Sequence, residues 1–136
     1  MSEFSIPVRV YIEDTDAGGI VYYVNYLKYM ERVRTEWLRH LGFQHYTLAK
    51  EDYQFVVHSC EARYRSPARM DEQLTVSAAI TKVGKAFILF HQEVRRALDN
   101  SLCCEAQIKV ACINPITMKP AQLPDNIRQA FEASEQ

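Results

Sequence analysis

The stretch NYLKYMERVRTEWLRHL, residues 25–41, sets the architecture of this chain. Tyr26, Leu27, Met30, Val33, Trp37, Leu38 and Leu41 recur at helical spacing, with Lys28, Arg32, Glu36 and Arg39 between them. Asn25 is placed to cap the N-terminus, and Gly42 to stop the helix one residue past its end. Such a 17-residue helix is about 25 Å long. Its apolar and aromatic stripe is too broad for a surface helix, so other elements must wrap it.

Working outward, four segments downstream read as long strands: Phe55–Ser66, Gln73–Val83, Ala86–Leu98 and Leu102–Asn114. Each is rich in Val, Ile, Thr, Phe or Tyr, and Ser66-Pro67, Gly84 and Asp99-Asn100 break them. Asp99-Asn100 marks a tight hairpin. Residues 114–124 hold three prolines and should run irregularly over the surface, and Asp125 to Ala133 forms a short closing helix. Upstream, Val8 to Asp14 alternates as a half-buried strand does, until Gly18-Gly19 breaks the pattern. The stretch from His45 to Asp52 is looser. Strand, long helix, four strands is an α+β order, and consecutive strands pair antiparallel most easily. A curved antiparallel sheet around one central helix is therefore expected, as a single domain over residues 1–136. Long strands with open edges also invite pairing between subunits, so a homo-oligomer is expected, with a dimer as the minimum.

The chain carries 16 basic and 17 acidic residues, a net charge of −1, and 48% of it is hydrophobic. That is a globular composition without the global field that draws in nucleic acid or anionic membrane. The first residues lack a signal peptide's basic and apolar regions, and no apolar run approaches the ~20 residues that span a bilayer. The spacing of Cys60, Cys103, Cys104 and Cys112 fits neither a zinc site nor a disulfide scaffold. Free, mostly buried thiols in the cytoplasm are the better reading.

The chemistry concentrates in DTDAGGIVYYVNY, residues 14–26. Two carboxylates and two glycines stand just ahead of a helix N-terminus, which offers unpaired N–H groups and about half a positive charge. A carbonyl docked there would be polarised, while a carboxylate beside it could activate water or attack directly. If the strand continues, Asp14 and Asp16 share one face. A turn that merely caps a strand and a helix fits the same pattern.

The run from Val8 to Tyr22, continued by Tyr26 and by residues 31–38, is similar to the 4-hydroxybenzoyl-CoA thioesterase family of hotdog-fold proteins. Within it, the chain most resembles the acyl-CoA thioesterases associated with Tol-Pal genes. Weaker likeness runs through residues 64–71 and on to residues 114–120, nearly the whole chain. The resemblance implies a hotdog fold with active sites shared between subunits, and a tetramer as the assembly. It implies hydrolysis of a short aliphatic or aryl acyl-CoA, with Asp16 as catalytic carboxylate and the backbone N–H of Tyr23 polarising the thioester carbonyl. That branch usually has His at the position of Tyr23; the hydroxybenzoyl branch has Tyr, followed two residues later by Asn, as Asn25 is here. A backbone role survives either residue. Gly19, Val21, Tyr22 and Asn25 are the expected substrate contacts, and Lys82 and Lys85, flanking the Gly84 turn, the expected contacts for the nucleotide of coenzyme A.

Other candidates have plainer readings. Asp14 is assigned to binding nearby N–H groups, and Glu31, Arg32, Arg34 and Glu36 to salt-bridged helix packing. His40, His45, His58 and His91 show no metal-ligand spacing, so neither metal nor cofactor is expected. No Gly-x-Ser-x-Gly elbow is present for a serine route. Two alternatives to hydrolysis remain open: a non-catalytic acyl-CoA or acyl-carrier binding or scaffold module, and a hotdog dehydratase, which the absence of a motif His disfavours.

Overall fold

The computed structural model describes residues 3–43 and 52–135. The looser stretch through residue 51, with His45, lies outside them. The elements are β1 (Glu3–Arg9), a 3-10 turn (Ile12–Asp14), α1 (Val24–His40), β2 (Gln54–Tyr64), β3 (Gln73–Val83), β4 (Phe87–Arg96), β5 (Leu102–Ile113) and α2 (Asp125–Ser134).

α1 buries Tyr26, Tyr29, Met30, Val33, Arg34, Trp37 and Leu38. Alternate residues of the strands meet them: Leu74, Val76, Ala78 and Ile80 of β3, Ile88, Phe90 and Val94 of β4, and Ala106, Ile108 and Val110 of β5. Burying each large aliphatic side chain contributes about 1.5–3 kcal/mol. α2 closes the core with Ile127 and Phe131. One polar residue, Gln92, is fully buried among them, and Gly42 ends α1 at φ 98°. There Gly42 N donates to Arg39 O and Phe43 N to Leu38 O, a Schellman end of the kind expected at this glycine.

The sheet is antiparallel throughout, in the order β1-β3-β4-β5-β2. Two expectations change here. Sequential pairing holds for β3, β4 and β5, but β2 pairs with β5 instead of β3. Residues 65–72 are too long for a tight hairpin, and they cross the N-terminal end of α1, where Tyr26 Oη accepts from Ala68 N at 3.0 Å. The first strand, expected at Val8–Asp14, instead starts at Glu3 and ends at Arg9. Beyond it, Asp14 Oδ2 accepts from Tyr11 N and Thr15 Oγ1 donates to Ile12 O, local bonds that curl residues 12–14 out of strand geometry. Asp14 and Asp16 consequently do not share a strand face. Pro7 is tolerated because β1 is an edge strand. β2 is the other edge, and a bulge between Val57 and Ser59 interrupts it. No helix among the described residues is long and apolar enough to cross a membrane.

Candidate active site

Residues 10–23 form a loop tied on both sides before it becomes α1. Val10 O accepts from Asp71 N, Val10 N donates to Glu72 O, and Val21 N donates to Ala68 O. Within the loop Asp16 N donates to Ile20 O and Gly19 N to Asp16 O, which closes a tight turn with Gly19 at φ 80°, where an L side chain is strained. A Cβ on Gly18 would stand 3.3 Å from Asp16 Oδ1. The Gly-Gly pair thus permits both the turn and the carboxylate's seat in it.

Asp16 is exposed in the single chain. Its Oδ1 accepts from Gly18 N at 2.9 Å, and Oδ2 has no partner among the described residues. One carboxylate oxygen is held and the other is open. Asp14 does other work: its Oδ2 takes the Tyr11 amide, and its carbonyl accepts from Tyr22 N and from Asn25 Nδ2 at 2.8 Å. This is the backbone-binding role expected of it. The buried hydroxyl of Tyr29 faces Asp14 without completing a hydrogen bond; burial first, then the Asp14 charge, push its ionisation up.

Helix α1 begins with Tyr23 as N-cap, and no side chain caps it. Asn25, expected as the cap, is already helical. Asp14 O captures its side-chain amide, and the cap falls two residues earlier, at Tyr23. Asn25 N donates to Tyr22 O and Tyr26 N to Tyr23 O, whereas the amides of Tyr23 and Val24 find no acceptor among the described residues. These unpaired N–H groups carry the positive end of the helix.

A cavity of about 300 Å³ lies beside this start, lined by Ile20, Val21, Tyr23, Tyr26, Tyr64 and Arg65, with Ser66 and Pro67. Tyr22, Tyr23, Tyr64 and Tyr26 form a chain of ring contacts at 5.1–5.9 Å along its wall. Of the expected site residues, Val21 and Tyr23 line this cavity; Asp16, Gly19 and Tyr22 belong to the same loop but are not among its lining residues, and Asn25 gives its side chain to Asp14 O. Lys82 and Lys85 lie elsewhere. β3 starts beside Val10 and rises about 3.3 Å per residue, so its far end lies about 30 Å away. Cations that this chain itself brings to the loop include Arg69, whose backbone bridges Ile20, and Arg65, which lines the cavity and pairs with Glu105 at 2.8 Å. Both bracket Ser66-Pro67 in the sequence and are basic candidates there for the phosphates of coenzyme A, behind Lys82 and Lys85.

Among the described residues, His91, Glu93 and Glu105 bring ligand atoms within 4.8 Å of one another on the outer sheet face. Both carboxylates are already engaged, Glu93 by Arg95 and His91 and Glu105 by Arg65. Cys103, Cys104 and Cys112 are buried and Cys60 is exposed, all four as free thiols. Burial pushes Cys104 up to about 12 and Cys112 to about 11, the opposite of an activated nucleophile.

A five-stranded antiparallel sheet wrapped on one long helix is the hotdog arrangement. The chain belongs to the thioesterase-like superfamily, whose family model matches residues 10–131. It is 43% identical over 129 residues to the acyl-CoA thioester hydrolase YbgC of Escherichia coli, covering 95% of this chain and 96% of that one. It is 32% identical over 133 residues to the acyl-CoA thioesterase YbgC of Helicobacter pylori, covering 92% and 97%. In fold it is similar to the crystal structure of a 1,4-dihydroxy-2-naphthoyl-CoA thioesterase from Synechocystis, with a TM-score of 0.88 and 24% identity over 95% of each chain.

Proposed function

We propose that this chain hydrolyses an acyl-CoA thioester to the free acid and CoA, with Asp16 and the Tyr23 amide as its two chemical components. Membership of the thioesterase-like superfamily and the 43% identity to a named acyl-CoA thioester hydrolase support the reaction class. The single observation that carries the mechanism is a half-engaged carboxylate on the loop that leads into the uncapped start of α1. The thioester carbonyl oxygen docks on the Tyr23 N–H. Asp16 takes a proton from water as its oxygen attacks the carbonyl carbon, and the oxyanion rests on the amide. The C–S bond then breaks, and the departing thiolate takes up a proton to give CoA. In the alternative route Asp16 itself attacks, and water hydrolyses the resulting anhydride. The aromatic wall of the cavity suits an aryl or short aliphatic acyl group.

The working form is a homo-oligomer, a tetramer of paired dimers, acting in the cytoplasm. The open edge of β2, with Val57 54% exposed, supports subunit pairing. An exposed Asp16 requires a neighbour to exclude bulk water. Lys82 and Lys85 of that neighbour are the nucleotide contacts.

Steady-state assays of Asp16→Asn against an acyl-CoA panel test this. The near-isosteric variant should fold and bind acyl-CoA while losing most turnover. Undiminished turnover would eliminate the mechanism, and binding without turnover in the unaltered protein would identify a binding module instead. Single turnover in labelled water, with the label sought in Asp16, separates base from nucleophile.

A further inference from the structure

A second cavity, of about 450 Å³, opens beside the first residue of α1 and runs along Val24, Leu27 and Lys28, against Val57 of β2 and Ile108 of β5. Arg34 also lines it and is only 4% exposed. Arg34 Nη1 donates to Gln92 Oε1 at 2.8 Å. Gln92 is locked with its oxygen toward the guanidinium, because its amide nitrogen donates to Met30 O at 3.0 Å and Ser77 O at 3.3 Å. Gln92 carries no charge, and Phe90, 5.9 Å below the guanidinium, supplies only a ring face. No carboxylate among the described residues pairs with Arg34.

A guanidinium cannot shed its proton, and burying one without a counter-charge is strongly unfavourable. Arg34 stands at the cavity wall without a carboxylate partner among the described residues. Lys28 and Arg32 add two more cations to the lining against the single carboxylate of Glu31, which also accepts the Thr35 hydroxyl, so cations exceed anions there by two. An anion completes such a site. Leu27, Val57 and Ile108 make the wall between helix start and guanidinium apolar, which suits methylene groups. Arg34 follows Val24 by ten residues, about 15 Å along the axis, and helical side chains lean back toward the N-terminus.

We infer that this cavity takes an acyl chain that ends in a carboxylate, with Arg34 binding that carboxylate while the thioester lies at the start of α1. The inference rests on the acyl-CoA thioesterase reading and replaces the aryl or short aliphatic group at the tyrosine wall: the substrate class is the mono-CoA thioester of a medium-length dicarboxylic acid, with its chain in this second cavity. Arg34 is then a specificity-determining residue, remote from the reacting atoms.

The test compares matched pairs, glutaryl- with pentanoyl-CoA, adipyl- with hexanoyl-CoA and suberyl- with octanoyl-CoA. Wild type should favour the carboxylated member of at least one pair by about a hundredfold in kcat/KM, the scale set by losing one partner of a buried charge pair. Arg34→Met should erase that preference, falling far more on the carboxylated series than on the alkyl one, and Arg34→Lys should restore part of it. A readout independent of turnover is the melting temperature, which free adipate should raise in wild type and not in Arg34→Met. Wild type that hydrolyses alkyl thioesters as well as their carboxylated partners overturns the inference and leaves the thioesterase reading standing. So does an Arg34→Met protein that loses both series equally with a changed oligomeric state, since a neighbouring subunit would then supply the counter-charge. If wild type hydrolyses neither series, the thioesterase reading fails, and the adipate shift alone decides the anion site. If Arg34→Met does not fold, the wild-type preference and its adipate shift decide.

Discussion

The two ends of α1 are built to opposite rules. At the C-terminal end every closing device is present. Gly42 takes the left-handed turn, Phe43 N and Gly42 N satisfy Leu38 O and Arg39 O, Trp37 is buried, and Phe4 lies 6.0 Å from its ring in a parallel stack. At the N-terminal end no side chain caps the helix, the Tyr23 and Val24 amides are unpaired among the described residues, Tyr23 is 55% exposed, and Asp16, on the loop before it, keeps one oxygen free. Backbone groups are left open at one end of the helix, in a fold that closes them carefully at the other, so free donors are offered at the start alone. A change at the start should cost turnover without stability, and a change at the end should cost stability without turnover.

Three substitutions probe that contrast, in descending order of effect. Asp16→Asn should lower kcat by about a thousandfold, within the range for a removed base or nucleophile, with a melting temperature close to wild type. A matching loss of melting temperature would break the contrast. Trp37→Ala should cost about 3–5 kcal/mol in chemical denaturation, because it empties the space between Phe4 and Phe90, while kcat of the folded fraction persists. Gly42→Ala should cost about 1 kcal/mol through its left-handed φ, again with kcat intact.

The smallest effect lies away from both ends. Burial works against ionisation of Glu93, but hydrogen bonds from His91 and Arg95, and their charges, outweigh it and hold the carboxyl below its ordinary range. A depressed carboxyl stabilises the fold fully above the ordinary Glu value of about 4.3 and progressively less as pH falls toward its own lower value. Wild type should thus lose a few tenths of a kcal/mol below about pH 4 that Glu93→Gln does not lose, a figure kept small by partial exposure. Parallel denaturation curves of the two proteins at each pH would show it.

How much of this was legible beforehand follows from which forces are local. α1 lies within one residue of its sequence-based span, and β3 coincides with it, because periodicity and breakers are written along a single segment. The loop, its glycine turn and the backbone role of Asp14 were readable for the same reason. The place of β2 was not, because pairing with β5 depends on a crossing over α1 that no local pattern encodes. Asn25 was read as a cap from its residue type, but the Asp14 carbonyl, eleven residues away, claims its side chain. Lys82 and Lys85 rest on the family likeness alone, and in the single chain they lie at and just beyond the far end of β3 from the loop. Arg34 was assigned to helix salt bridging by its spacing. Its actual neighbour, Gln92, is 58 residues distant and on another element.

Both borders of the sheet carry a flaw. On β1 it is Pro7, which has no N–H to offer a further strand, and on β2 it is the slip at residues 57–59 that throws the row of donors and acceptors out of step. A straight border would accept copy after copy and grow into a fibre. These crooked ones admit at most a mate shaped to match, so the chain can be crowded at high concentration and still stop growing.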